Sequence, residues 1–266
     1  MAGVIDRYER EVLPQRSATT QVNTKYILER LRKVFGAMDP KDITTQHVIQ
    51  FRDIRGRSGK TAANRDLEVL STLFRHAIEW GQATTNPVRD VRHFEEKPRD
   101  LYVTDEAFRA VYLVCPDEIQ IAMDLALLTG QRRADLLTLR WDQVTDDGLV
   151  FRQSKTGKKL IVEWSDDLRA VIERARGKSP DYVLGKALTP AGFQSAWRRA
   201  IEKAQKADQT FQPFAFHDLR AKSASDDAEL SRASARLGHA DARITRRVYR
   251  RLPERVSPLR VASHKS

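Results

Sequence analysis

The sequence predicts a mainly α-helical protein, with a helical N-terminal domain followed by a mixed, mostly helical domain that carries a small antiparallel β-sheet. Three observations lead there. Apolar residues recur at helical spacing through "TAANRDLEVLSTLFRHAIEWG". Alternation suited to strands is confined to "GLVFRQS" and "KLIVEWS". Between these regions, "TTNPVRDVRHFEEKPRD" breaks periodicity with two prolines and mixed charge.

In the N-terminal part, Ile27, Leu31 and Val34 fall at helical spacing within residues 20–35, and Gly36 follows as a stop. A shorter helix fits residues 45–54. The strongest stripe joins Ala63, Leu67, Leu70, Phe74, Ala77 and Ile78, and Gly81 is placed to end it. No strand pattern interrupts this region. The linker therefore falls near residues 90–100, giving expected domains at 1–95 and 96–266.

The second part opens with Thr104 as an N-cap and continues through an apolar helix containing Ile119, Ala122, Met123, Leu125, Ala126 and Leu127, which stops at Thr129-Gly130. A short helix carries Leu136, Leu137 and Leu139. The two strands then meet at a turn built on "KTGK", where Gly157 can take positive φ. Thr189 caps a long helix with Pro190 at its first position, passing through Trp197 and Ile201, and further helices fit residues 217–229, 232–237 and 244–251. Neither an internal repeat nor a low-complexity tract is present.

With 266 residues and 41% hydrophobic content, the chain can fold around real cores without covalent staples. A single cysteine, Cys115, excludes an intramolecular disulfide. No apolar run approaches the roughly 18 residues of a membrane span, and residues 1–10 are too charged for a secretory signal. The compartment expected is a reducing cytoplasm. Net charge is +11, shared as +4 up to Pro98 (17 basic, 13 acidic) and +7 beyond (30 basic, 23 acidic). Nucleic acid is the partner this implies for both parts, against the plainer reading of a soluble protein with a high pI.

Two familiar chemistries fail on spacing. "GRSGKT" at 56–61 resembles the end of a phosphate-binding loop, but the pattern needs glycine where Ile54 stands, so an inter-helix loop with Thr61 capping the next helix is expected. The six histidines form no metal-binding pattern, and no carboxylate cluster suggests a two-metal nuclease. No cofactor and no metal are expected.

What remains are cationic and polar residues just beyond core segments. Arg132 follows the glycine that ends an apolar helix. His217 and Arg220 stand at i, i+3 in "FHDLR", His239 follows a C-capping glycine in "LGHA", and Lys155 sits on the hairpin shoulder. Each alone has an ordinary structural explanation. Tyr249 lies within "RITRRVYRRL", where Arg246 with Arg250 and Arg247 with Arg251 form rows expected to face the DNA backbone or a neighbouring subunit.

Taken in order, these residues resemble the signature of the tyrosine recombinases, or phage-type integrases. "TGQRRADLLTLRWDQV" is similar to the family's T-G-x-R-x-x-E-L-x-x-L-x-W-x-D segment, with Asp135 at the acidic position. "SKTGKK" resembles the hairpin lysine segment, "HDLR" matches H-x-L-R, and "LGHADARITRRVY" resembles L-G-H followed about ten residues later by the nucleophile. After H-x-L-R the family commonly continues with His and Thr, where this chain has Ala221 and Lys222. The helical first part is similar to the family's core-DNA-binding domain.

The resemblance implies a catalytic set of Arg132, Lys155, His217, Arg220, His239 and Tyr249. Tyr249 would attack a DNA phosphodiester, the two arginines and His239 would hold the non-bridging oxygens, His217 would take the tyrosine proton, and Lys155 would protonate the leaving 5′-oxygen. It implies a 3′-phosphotyrosyl intermediate, a homotetramer on two sites in double-stranded DNA, and accessory DNA-bending proteins. The setting implied is the nucleoid of a bacterium, with a bacterial or phage gene. Lys60, Arg65, Arg198 and Arg199 are expected to hold phosphates, and Leu252, Val256, Leu259 and Val261 to form an amphipathic tail docked in cis or trans. Two alternatives remain open at this point: a type IB topoisomerase-like enzyme and a non-enzymatic DNA-binding relative.

Overall fold

The computed structural model describes residues 1–97, 99–185 and 188–252. The chain divides into two compact units, Met1–Pro98 and the residues from Arg99 onward.

Among the described residues, four α-helices build the first unit: α1 (Ala2–Glu11), α2 (Ala18–Phe35), α3 (Thr45–Gly56) and α4 (Lys60–Glu79). Ser17 and Thr44 cap α2 and α3 through their hydroxyls, and Gly81 takes φ +71° just past the end of α4. Leu28 and Leu31 of α2, Val48 and Phe51 of α3, and Leu67, Leu70 and Phe74 of α4 close one core with Val4, Ile5 and Tyr8 of α1. Fully burying each such side chain stabilises by about 1.5–3 kcal/mol.

Three sequence expectations change here. α1 was not foreseen, because its buried Val4, Ile5 and Tyr8 stand among charges that mask the period. The α2 stripe is rotated: Thr24, Leu28, Leu31 and Phe35 face inward while Val34 is 50% exposed. Thr61 caps nothing, since the helix starts at Lys60 and its N-cap is Gly59 at φ +155°.

The second unit is arranged around α6 (Asp117–Thr129), which packs against α5 (Asp105–Tyr112), α7 (Arg133–Leu137), α8 (Asp166–Ala175), α9 (Pro190–Ala207) and α10 (Asp218–Ser225). Ile119, Ile121, Ala122, Met123, Leu125 and Ala126 are all buried, so this helix is covered on most of its circumference. The expected run from Thr104 is broken into α5 and α6, with Pro116 at the N-cap of α6. The sheet has three antiparallel strands in the order β1 (Val144–Thr145), β2 (Gly148–Arg152) and β3 (Lys159–Glu163). Leu149 and Phe151 point into the core and pair with Val162 and Leu160. Neither β1 nor α8 was expected from sequence.

Beyond α9 the chain forms α10, α11 (Leu230–Leu237), α12 (Ala242–Ile244) and a π-helical turn over Thr245–Tyr249. The helix expected at 217–229 is thus shorter, and the one at 244–251 is wound differently. Val256, Leu259 and Val261 lie outside the described residues, and Leu252 is exposed. Among the described residues no helix is long and apolar enough to cross a membrane.

Asp66 in α4 tests the first unit. Its carboxylate is 1% exposed and receives Arg30 Nη2 (2.8 Å) and Arg55 Nε (2.9 Å). Both arginines are partly exposed and can recover water, so Asp66→Ala is expected to cost about 3 kcal/mol, the lower end for a broken buried pair. Urea denaturation should show a lower midpoint with an unchanged slope.

Candidate active site

Two helices end at the same place. α6 stops at Gly130 (φ +63°) and α11 at Gly238 (φ +70°), both in the left-handed conformation that glycine adopts without a Cβ penalty. The Arg220 side chain of α10 lies between these ends. It is 1% exposed, donates to the Gly130 carbonyl through Nη1, and donates to the Leu237 carbonyl at 2.6 Å through Nη2. Carbonyls at helix C-termini carry partial negative charge, which suits a buried cation. Burial lowers the Arg220 pKa, repulsion from Arg132 adds to this, and Tyr249 opposes it. Arg220 Nε has no hydrogen-bond partner among the described residues.

His239 follows Gly238 and faces Arg220, with Nη2 of the arginine 3.1 Å from its Nε2. A guanidinium only donates, so Nε2 accepts. The neutral ring therefore carries its proton on Nδ1 and donates it to Thr245 Oγ1, 2.7 Å away. Burial and then the charges of Arg220, Arg132 and Lys158 hold the His239 pKa down to about 4.

Thr245 is fully buried and begins the π turn that ends in Tyr249. The Tyr249 ring packs against Ala224, Ala233 and Leu237. Its centroid lies 4.9 Å from that of His239, 6.1 Å from that of His217 and 5.3 Å from Arg220 Cζ. Ser225 Oγ donates to the Tyr249 carbonyl and accepts the amide of Arg251, fixing the chain on both sides of this peptide.

The flanking arginines correct the expectation of a basic face. Arg251 Nη1 pairs with Asp218 Oδ1 (2.8 Å) and donates to Leu101 O, and its side chain is 7% exposed. Arg250 donates to the carbonyls of Asp227 and Ala228. Both anchor the segment, whereas Arg246 and Arg247 are exposed.

His217 is the N-cap residue of α10, beyond Phe216, whose ring is buried edge-on against Phe193 and Trp197. The His217 backbone is already helical (φ −64°, ψ −21°) and its carbonyl accepts the Arg220 amide at 3.2 Å, so the two residues follow one another at one turn's spacing. Protein packed behind the His217 ring lowers its pKa, and Arg220 lowers it further. Arg132 stands at the N-cap position of α7 and donates from Nη1 to Gln153 Oε1 at 3.0 Å. Asp135 accepts the amide of Ser154 at 2.8 Å, tying this segment to the hairpin.

Arg132, His217, Arg220, His239 and Tyr249 thus share one neighbourhood. Lys155 is exposed on the hairpin turn and has no hydrogen bond or ion pair within the cluster. Arg132 and His217 line a cleft of about 820 Å³ together with Arg99, Arg133, Gln194 and Arg198. Arg199 lines a separate pocket with Cys115 and Lys203. In the first unit, exposed Lys60 stands over the Phe94 ring at 5.9 Å, and Arg65 pairs with Glu68 and Glu96. Sequence reasoning missed Gln131, Gln153, Thr245 and Asp218. Gln131, Asp218 and Thr245 lie inside the quoted motifs and Gln153 directly precedes one, but their side-chain direction is a tertiary property.

Residues 104–255 match the model of the phage integrase family, which spans more than half of the chain and includes every member of this cluster. The chain belongs to the phage integrase family, the tyrosine recombinases. It is 28% identical to the integrase of Enterobacteria phage 434 and 27% identical to that of Escherichia phage lambda. Each alignment runs over 237 residues, 83% of this chain and 66% of the relative, so the chain spans just under two thirds of these relatives. Among solved structures, a lambda integrase dimer bound to a COC′ core site aligns with a TM-score of 0.84 at 24% identity, covering 98% of this chain and 99% of that one. A lambda integrase tetramer bound to a Holliday junction aligns at 0.80 and 25%, covering 90% and 77%. The expected fold class, mainly helical with a small antiparallel sheet, agrees with these likenesses.

The His239 environment gives a pH test. In the DNA-free protein its ring should titrate near 4 rather than 6.5, with Nδ1 protonated at neutral pH, as read by imidazole nitrogen NMR. The unfolded chain takes up the proton first as pH falls. This histidine's contribution to stability is therefore full above about 6.5 and declines as pH falls toward about 4. A titration at or above 6.5 would contradict the assignment.

Proposed function

We propose that this chain is a site-specific DNA recombinase that cleaves and rejoins strands through a 3′-phosphotyrosyl intermediate. The observation that carries the reading is the gathering of Tyr249, His239 and His217 around the buried guanidinium of Arg220. Family membership supports it independently. The related proteins are named integrases and a shufflon-specific DNA recombinase, which favours this reading over a topoisomerase-like or purely DNA-binding one.

In this reading, the Tyr249 oxygen attacks the scissile phosphorus and its proton passes to His217, which a lowered pKa keeps neutral and able to accept. Arg132 and Arg220 hold the two non-bridging oxygens, where charge develops. The spare donors of Arg220, including Nε, suit an anion. His239 can donate to a phosphate oxygen only with a proton on Nε2, so phosphate entry requires protonation or a change of the tautomer described above. Lys155, exposed on the hairpin turn, donates a proton to the leaving 5′-oxygen. The products are a phosphotyrosyl ester and a free 5′-hydroxyl. A 5′-hydroxyl then attacks the ester, restores the tyrosine and reseals the strand, with no change in the number of phosphoester bonds.

The remaining assignments follow the same reading. Residues 96–266 act as the catalytic domain and 1–95 as the core-DNA-binding domain. Lys60, Arg65, Arg198 and Arg199 contact phosphates, Arg65 by exchanging its glutamates for DNA. The lambda integrase dimer on a core site and the tetramer on a Holliday junction support double-stranded DNA as substrate and a homotetramer as the working assembly. Accessory DNA-bending proteins and a cytoplasmic setting rest on the family likeness.

A duplex carrying a nick just 3′ to the cleavage position tests the chemistry, because the short product diffuses away and traps the enzyme. Wild type should accumulate covalently on a 3′ end and Tyr249→Phe should not. Arg132→Ala should slow trapping about 10²–10³-fold. Covalent trapping by Tyr249→Phe at the wild-type rate would sink the assignment.

A further inference from the structure

The Gln153 side chain is fully buried where β2 runs into the hairpin turn. Its amide makes four hydrogen bonds. Oε1 accepts from Arg132 Nη1 (3.0 Å) and Thr156 Oγ1 (3.0 Å), while Nε2 donates to Gln131 Oε1 (2.9 Å) and Leu237 O (3.0 Å). Two lone pairs and two N–H groups are the whole capacity of an amide. The orientation is not arbitrary, because Arg132 has only donors and must meet the oxygen. Gly238 lies directly on the amide, where an added Cβ would come within 2.6 Å of Nε2.

These contacts join three segments of the cluster: Arg132 at the start of α7, the hairpin turn beside Lys155, and the end of α11 that leads into His239. Arg132 is only partly buried, and a long side chain with several rotamers loses precision unless something selects one. A fixed acceptor on one Nη1–H does this and leaves the other donors free. Gln131, donating to the carbonyls of Thr129 and Arg236, braces Gln153 from behind.

We propose that Gln153 is a positioning residue that aims the Arg132 guanidinium at the scissile phosphate and locks it to the hairpin and to the Leu237–His239 turn. The proposal rests on the strand-transfer reading above. Gln153 itself touches no reacting atom and acts through Arg132.

The test is a double-mutant cycle on the nicked duplex, with single-turnover trapping rates for wild type, Gln153→Met, Arg132→Ala and the double variant. Melting curves and DNA affinity are measured alongside. Gln153→Met is expected to slow trapping about 10–100-fold, the scale of a misplaced catalytic group, with DNA affinity within about threefold of wild type. In the Arg132→Ala background the same change should add less than about threefold, since its effect runs through the guanidinium. If Gln153→Met does not fold, Gln153→Asn, which keeps the amide but withdraws it by one methylene, replaces it in the cycle. A wild-type rate for the Gln153 variant, or an effect that multiplies fully with that of Arg132→Ala, overturns the proposal. If Arg132→Ala itself traps at the wild-type rate, the reading of the site fails instead.

Discussion

A positive charge buried without a carboxylate partner is the constraint on which the second unit depends. Desolvating a guanidinium costs several kcal/mol, and among the described residues Arg220 has no ion pair. Main-chain carbonyls compensate, each charge-assisted hydrogen bond contributing about 1.5–3 kcal/mol. Because those carbonyls must converge, two helices have to end at the same point, and each ends on a glycine with positive φ. At Gly130 an added Cβ would also come within 2.8 Å of Leu237 Cδ1, so the two helix ends leave no room for a side chain between them. The central position of α6 follows from the same requirement, since this helix delivers one acceptor and carries the core on its other faces.

A second consequence concerns which charges around Tyr249 do what. Arg250 and Arg251 look in sequence like part of a basic strip, yet one grips carbonyls and the other a buried aspartate. Asp218 also receives Arg99 at 2.8 Å, so one carboxylate joins the start of the second unit, the cap of α10 and the segment past Tyr249. The cluster keeps its cations close to one another by giving most of them acceptors that are not mobile.

The sequence made much of this legible where the signal is local. Glycine stops at 81, 130 and 238, the Thr189-Pro190 cap, and the hairpin turn with Gly157 at positive φ depend on backbone preferences of a few residues, and all are present. Signals diluted by charge were lost, as in α1, and periodicity alone misjudged which face of α2 turns inward. The family signature identified residues that share a site, but not the connections among them. Gln153 in "FRQSK" reads as an ordinary polar residue, because nothing local to it reveals that its four partners come from distant segments. Lys155 shows the converse: a motif position can be recognised while its side chain stands away from the others.

The π turn at Tyr249 has a consequence for chain length. Its Thr245 carbonyl accepts the Arg250 amide at 3.0 Å, a closure over five residues where an α-helix would use four. Thr245 is meanwhile fixed to His239, and Arg251 to Asp218. Between these two fixed points the winding can absorb one residue by passing between π and α geometry. The stretch from Thr245 to Tyr249 thus holds one residue more than an α turn would, and a deletion there is expected to tighten the pitch of the turn before it removes the tyrosine from the arginine.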